Sequence, residues 1–239
     1  MLQHRREGCT VPVFAIQPLA LEIPAQIDLQ QAARYFGAQR QPDQATLALL
    51  ERCAPPLLRA ATPRAVWLAA ETETLWDTGV LAGADIRAHL EDCPQAILLA
   101  VTLGSGVDTQ VRRAAIGDVA AGAASDALAS ALAEQMADAA EARLRQWAAS
   151  QGRFLTGRFS PGYGDWPITV QPLVAATLDA PRQIGLYVTD TALMTPRKSV
   201  TALLGISHHP VRGKLAGCGH CALRARCDYH KRGITCADQ

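Results

Sequence analysis

The sequence has 239 residues, 49% hydrophobic and 19% charged, with a mean hydropathy of +0.04. That is enough chain to bury a sizeable core, and the composition excludes a largely disordered polypeptide. Lys and Arg number 23 against 22 Asp and Glu, net +1; a nucleic-acid binder shows a basic surplus, and a membrane span needs about 20 apolar residues in a row, so neither partner is expected and the cytoplasm is the expected compartment.

In chain order, residues 1–27 read as an irregular or extended lead-in broken by Pro12, Pro18 and Pro24. Asp28 is placed to cap a helix through Ala32, Ala33 and Tyr35, with Gly37 as its stop. A second helix follows Asp43 through Leu47, Leu50 and Cys53 and is expected to end at Pro55-Pro56. The apolar runs 65–70 and 96–102 have strand length and predict buried strands. Between Ile116 and Trp147, the residues Leu128, Leu132, Met136, Ala140 and Leu144 recur at steps of four, which predicts a core helix. The stretch 157–167 is a loop rich in Gly, Pro and aromatics; strands at 184–189 and 199–206 follow, around Thr195-Pro196. Helices and strands do not alternate regularly, so the fold class predicted is α+β, a mixed or antiparallel sheet with flanking helices. The organisation expected is a lead-in over 1–27, one domain over 28–215, and a Cys-rich basic tail over 216–239.

Common nucleotide, hydrolase and zinc-protease motifs are missing. Leu103-Gly104-Ser105-Gly106 follows a predicted strand but lacks the third glycine of a dinucleotide fingerprint, so it reads as an ordinary turn more readily than as a phosphate cradle. The loop Arg158-Phe159-Ser160-Pro161-Gly162-Tyr163-Gly164-Asp165-Trp166-Pro167 is more informative. Pro161 fixes its own φ and biases Ser160 toward extended backbone, while Gly162 and Gly164 permit tight turns. An arginine on such a loop can clamp a carboxylate, and an aromatic ring can cover a base or a cation. The same residues would equally suit a tight connection whose aromatics plug the core.

Arg158-x-x-Pro161-Gly162-Tyr163 resembles the signature of the activation domain of cobalamin-dependent methionine synthase. The preceding helix, with Ala133-Glu134 and Arg143-Leu144-Arg145, is similar to the helix before that loop in the family. So is Pro196-x-x-Ser199-Val200, followed by Ser207-His208 and Pro210. The continuous stretch Ser160 to Pro167 resembles stand-alone relatives of that domain, in which Thr102-Leu103-Gly104 and a terminal Cys-x-x-Cys also occur. The resemblance spans roughly residues 28–230 and is most specific from Glu134 to Ser207.

The resemblance implies an S-adenosylmethionine-binding accessory protein for the reductive methylation of cob(II)alamin. The cobalamin would sit on a separate methionine synthase core or other corrinoid protein, because the Asp-x-His-x-x-Gly loop that holds it is missing here. A flavodoxin- or ferredoxin-like donor would supply the electron. The protein would thus be part of a methyltransferase system in methionine biosynthesis, active only with that partner. On the matching positions, Arg158 and Tyr163 would contact S-adenosylmethionine, with Ser160 and Gly162 lining the site through their backbone. The family's tyrosine pair after Ser-His-Pro has no counterpart, since Ser207-His208-His209-Pro210 runs on into Val211-Arg212.

The tail carries Cys218, Cys221, Cys227 and Cys236, with His220 and His230 nearby. A Cys-x-x-Cys pair bites one metal well, and four thiolates suit zinc or an iron–sulfur cluster. The remaining spacing matches no standard finger or ferredoxin, so free thiols or a redox pair at Cys218 and Cys221 stay open as well. A different class of reading is a non-enzymatic binding module with a metal-binding Cys tail that contacts protein or nucleic acid.

Overall fold

The computed structural model describes residues 14–38 and 41–211. The Cys-rich tail predicted for 216–239 lies outside them. In chain order the elements are β1 (Gln17–Leu19), α1 (Leu29–Phe36), α2 (Gln44–Ala60), β2 (Arg64–Glu71), α3 (Thr72–Asp77), α4 (Ala84–His89), β3 (Gln95–Thr102), α5 (Ser105–Gly117), α6 (Val119–Ser150), β4 (Phe154–Leu155), α7 (Gln171–Thr177), α8 (Ala180–Ile184), β5 (Tyr187–Val188), β6 (Met194–Thr195) and β7 (Ser199–Ser207).

Strands β1, β2, β3, β7 and β4 form one antiparallel sheet in that order, and β5 and β6 pair as a separate hairpin. The fold is therefore α+β with an antiparallel sheet and helices on both faces. Alternation along the strands sorts the core in two. Trp67, Ile97, Leu99, Val101, Leu204 and Ile206 face α1, α2, α5 and α6. Val66, Leu68, Ala96, Leu98, Ala100 and Leu203 face α3, α4, α7 and α8. The period-two pleat makes this division automatic once the register is set.

The capping residues place the helices as the sequence suggests. Asp28 accepts from the amides of Gln30 and Gln31, and Gly37 closes α1 at φ 109°, a left-handed turn that favours glycine. Two boundaries differ from expectation. Helix α2 runs through Pro55 and Pro56 to Ala60. The carbonyls those prolines leave without donors belong to Glu51 and Arg52, which are exposed to water, while Cys53, Ala54 and Leu57 anchor the opposite face in the core. The core helix expected between Ile116 and Trp147 is α6, but it begins at Val119 and Ile116 belongs to the end of α5, so the helical run is interrupted there. Asp118 breaks it by accepting from the amides of Ala120 and Ala121, so that α6 starts afresh and folds back on α5. Gly122 makes that close packing possible: a Cβ there would lie 2.6 Å from the Cα of Ala115.

Leu103-Gly104-Ser105-Gly106 is a turn into α5, pressed against the end of α2. Gly104 has φ 81°, and a Cβ at Gly106 would meet the Ala60 carbonyl at 2.5 Å. The backbone that would approach a phosphate in the nucleotide reading is already covered by protein.

Candidate functional site

The loop after β4 crosses the sheet edge and reads both layers at once. Its entry is fixed by hydrogen bonds. Thr156 exchanges contacts with Gly205 of β7, its amide donating to the Gly205 carbonyl at 3.0 Å and its Oγ1 accepting from the Gly205 amide at 2.8 Å. His89, 1% exposed, places Nε2 2.9 Å from Thr156 Oγ1 and 3.1 Å from the Gly157 carbonyl. Arg145 of α6 donates to the carbonyls of Leu155 and Thr156 at 2.8 and 2.7 Å. Phe159 then pairs with Leu203 through two backbone hydrogen bonds of 2.9 and 2.7 Å.

That pairing sends neighbouring side chains to opposite sides. Phe159 is buried beside His89, ring centroids 5.0 Å apart. Arg158 turns the other way, toward α6, where three carboxylates one turn apart receive it. Its Nη2 lies 3.2 Å from Glu134 Oε2 and 2.8 Å from Asp138 Oδ1, and its Nη1 lies 3.3 Å from Glu141 Oε2. Positions 134, 138 and 141 share one helix face because they are spaced by four and three. Nη1 is buried and, despite its nearness to Glu141, is outside hydrogen-bond geometry and has no hydrogen-bond partner among the described residues. A guanidinium nitrogen so placed keeps the capacity to donate to one further acceptor.

Burial pushes the Glu134 carboxyl above its ordinary range; Arg158 pulls it back and Asp138 pushes it further up. Arg145 also donates to Glu141 Oε1 at 2.6 and 2.9 Å, so three carboxylates share two guanidinium groups and the cluster keeps a surplus of one formal negative charge.

The rest of the loop divides. Gly162, at φ 94°, donates its amide to the Trp166 carbonyl at 2.8 Å, and the Tyr163 amide donates to Ser160 at 3.1 Å. This closes a tight turn that holds Tyr163 out, 55% exposed. Trp166 is fully buried and donates Nε1–H to the Val80 carbonyl at 3.0 Å. Asp165 caps α4, accepting from the amides of Ala84 at 2.6 Å and Asp85 at 2.9 Å, while Asp85 Oδ2 accepts from the Asp165 amide at 3.2 Å. Of the ten loop residues, Arg158 thus lies against the carboxylates of α6, Tyr163 faces open space, and Asp165 and Trp166 lock the loop to the domain.

A family model described as the activation domain of vitamin B12-dependent methionine synthase matches residues 84–232, well over half of the sequence and the whole of this loop. The chain belongs to that family. The MetH reactivation domain, crystallised bound to AdoHcy, aligns with a TM-score of 0.56 at 15% identity, over 94% of this chain and 88% of that one. At this identity the likeness is one of fold. No curated protein matches the sequence.

Among activation-domain features quoted from the sequence, Pro196-x-x-Ser199-Val200 is structural here. Ser199 donates to Pro196 O at 2.7 Å or Thr102 Oγ1 at 2.8 Å, and Lys198 reaches Asp126 and Ser130 of α6 at 2.9 Å each. The carboxylates Asp138 and Glu141 were not among the residues singled out in the sequence. Their four-then-three spacing after Glu134 was the available signal, and it looks like any solvated helix face until Arg158 is brought to it. Cys218, Cys221, Cys227 and Cys236 lie outside the described residues. Among the described residues no three His, Cys, Asp or Glu side chains converge as metal ligands would, and no helix is long and apolar enough to cross a membrane.

Proposed function

We propose that this protein binds S-adenosylmethionine and serves the reductive methylation of cob(II)alamin on a separate cobalamin-dependent methionine synthase or other corrinoid protein, drawing an electron from a flavodoxin- or ferredoxin-like donor in the cytoplasm. The observation that carries the reading is Arg158: a guanidinium on the family loop with a buried, unbonded Nη1 and three carboxylates beside it. S-adenosylmethionine has one carboxylate and two positive centres, its ammonium and its sulfonium, and that charge pattern fits this donor set. The AdoHcy in the MetH reactivation domain crystal is the same molecule without the methyl group and its positive charge.

In this reading Arg158 binds the ligand carboxylate, Glu134 and Asp138 favour its cationic groups, and Tyr163 covers it from the loop, with Ser160 and Gly162 shaping the turn. Bound there, S-adenosylmethionine supplies an electrophilic methyl group. Tyr163 is 55% exposed and so open to a docking partner, and in this reading the protein's task is to hold the methyl donor in place for a centre carried on another chain. The domain limits 28–215 and 216–239 belong to the same proposal, as does a zinc ion or iron–sulfur cluster on Cys218, Cys221, Cys227 and Cys236, which metal analysis of anaerobically purified protein separates from free thiols.

The test is a mixture. A synthase core lacking its own activation domain, poised as cob(II)alamin, is combined with S-adenosylmethionine and a low-potential reductant. Its spectrum is expected to change to that of the methylated cofactor only when this protein is added, and Arg158→Lys, which keeps the charge but loses the fork, is expected to slow the change at least tenfold, as roughly 1.5–3 kcal/mol of charged hydrogen bonding implies. Equal conversion without the protein overturns the reading.

A further inference from the structure

We propose that Arg145 of α6 is a positioning residue of this same site: by holding Glu141 it keeps that carboxylate from closing on Arg158, and so leaves one Arg158 nitrogen for the carboxylate of S-adenosylmethionine. The inference rests on the function proposed above and assigns one further residue to it.

Arg145 and Glu141 lie one turn apart on α6, and Nε and Nη2 of Arg145 both donate to Glu141 Oε1, at 2.9 and 2.6 Å. The same guanidinium donates from Nη1 to the Leu155 carbonyl and from Nη2 to the Thr156 carbonyl, at 2.8 and 2.7 Å. One planar fork thus ties a carboxylate of α6 to the chain that leads into the loop, two residues before Arg158. Held by Oε1, Glu141 leaves its other oxygen, Oε2, 3.3 Å from Arg158 Nη1, with no hydrogen bond between them. The Glu141 and Arg158 side chains are 19% and 17% exposed, so water screens their attraction little. A carboxylate and a guanidinium this close align into a charged hydrogen bond unless one of them is held, and Arg145 holds Glu141. Arg158 Nη2 is meanwhile bonded to Glu134 and paired with Asp138. A guanidinium held by Nη2 alone can still turn to a carboxylate from outside. One clamped at both terminal nitrogens must first break a charged hydrogen bond.

Calorimetry of S-adenosylmethionine binding to the full chain separates this role from a merely structural one through a second substitution. Arg145→Gln is expected to weaken binding about tenfold, the usual size of one charged hydrogen bond, because the released Glu141 takes Arg158 Nη1. Adding Glu141→Gln to that variant is expected to bring binding back to within about threefold of the wild type, since a neutral amide competes for Arg158 less than a carboxylate does. If Arg145 served only to hold the Leu155 and Thr156 carbonyls, changing Glu141 would restore nothing. A double variant that binds no tighter than Arg145→Gln therefore overturns the role of Arg145, and so does an Arg145→Gln chain that binds as the wild type does. Melting temperatures check that each variant folds. Arg145→Lys, with one donor head for three acceptors, is the milder variant; it is expected to lose about threefold and to recover with Glu141→Gln in the same way. A wild-type chain that does not bind S-adenosylmethionine overturns the proposed function and this inference with it.

Discussion

At one end of the 158–167 loop, Trp166 is wholly buried and Asp165 holds two backbone amides of α4; at the other, Tyr163 is 55% exposed and Arg158 keeps a nitrogen unbonded. Seven residues apart, at Arg158 and Asp165, the same backbone is first open and then anchored. The anchor uses one large ring in a closed slot and one reciprocal cap, both of which tolerate little change. The open end keeps one Arg158 nitrogen without a hydrogen bond, a cost that a folded chain bears only where the surroundings hold the geometry. The difference teaches that a rigid base is what allows an unsatisfied arginine to persist.

Breaking the anchor should have the largest effect. Trp166→Ala empties a fully buried site and removes the hydrogen bond to Val80, a loss of roughly 3–5 kcal/mol, so thermal unfolding should fall by about 10 °C or more. Little change in melting would show that the loop is held elsewhere. Asp165→Ala should cost less, about 1 kcal/mol from two uncapped amides of α4, with a melting shift of about 2–4 °C. If the anchor supports the open end, this variant should also bind S-adenosylmethionine more weakly.

The smallest effect tests the open end through pH. Glu134 is raised from 4.5 in the folded chain, chiefly by burial. Between that ordinary value and the raised one, the folded state holds more protons than the unfolded state, so Glu134 makes stability fall as pH rises through the window. Glu134→Gln should flatten that part of the melting-versus-pH curve; an unchanged slope would place the titration on another carboxylate.

Much of this was legible in the sequence, for local reasons. The Asp28 cap, the Gly37 stop, and the strands over 65–70 and 96–102 follow from short-range rules, and the structure has all of them. The Pro55-Pro56 pair misled because a proline's cost depends on which face its orphaned carbonyls take, a property of packing. The Asp118 break was written in Gly117-Asp118, but the apolar period of α6 drew attention past it. The loop offered its residue types and left two roles open, ligand clamp or core plug. The core plug is Trp166, while Arg158 turns instead to the carboxylates of α6. Nothing local separates them, because the division is made by the pairing of Phe159 with Leu203, 44 residues downstream.

That pairing has a consequence for how the chain comes together. Strand β7 pairs with β3 in a register that joins Thr102 to Ser199 and Gln95 to Ile206. Closing a connection of about 100 residues costs roughly 4 kcal/mol of chain entropy before any contact rewards it. Helices α1, α2, α5 and α6 can gather earlier through nearer neighbours, so the carboxylates of α6 are in place before the arginine that they receive. The Arg158 loop hangs on β7 at Leu203 and Gly205, and during synthesis it has no platform until those residues have emerged. The geometry of the Arg158 loop thus depends on β7 being in place.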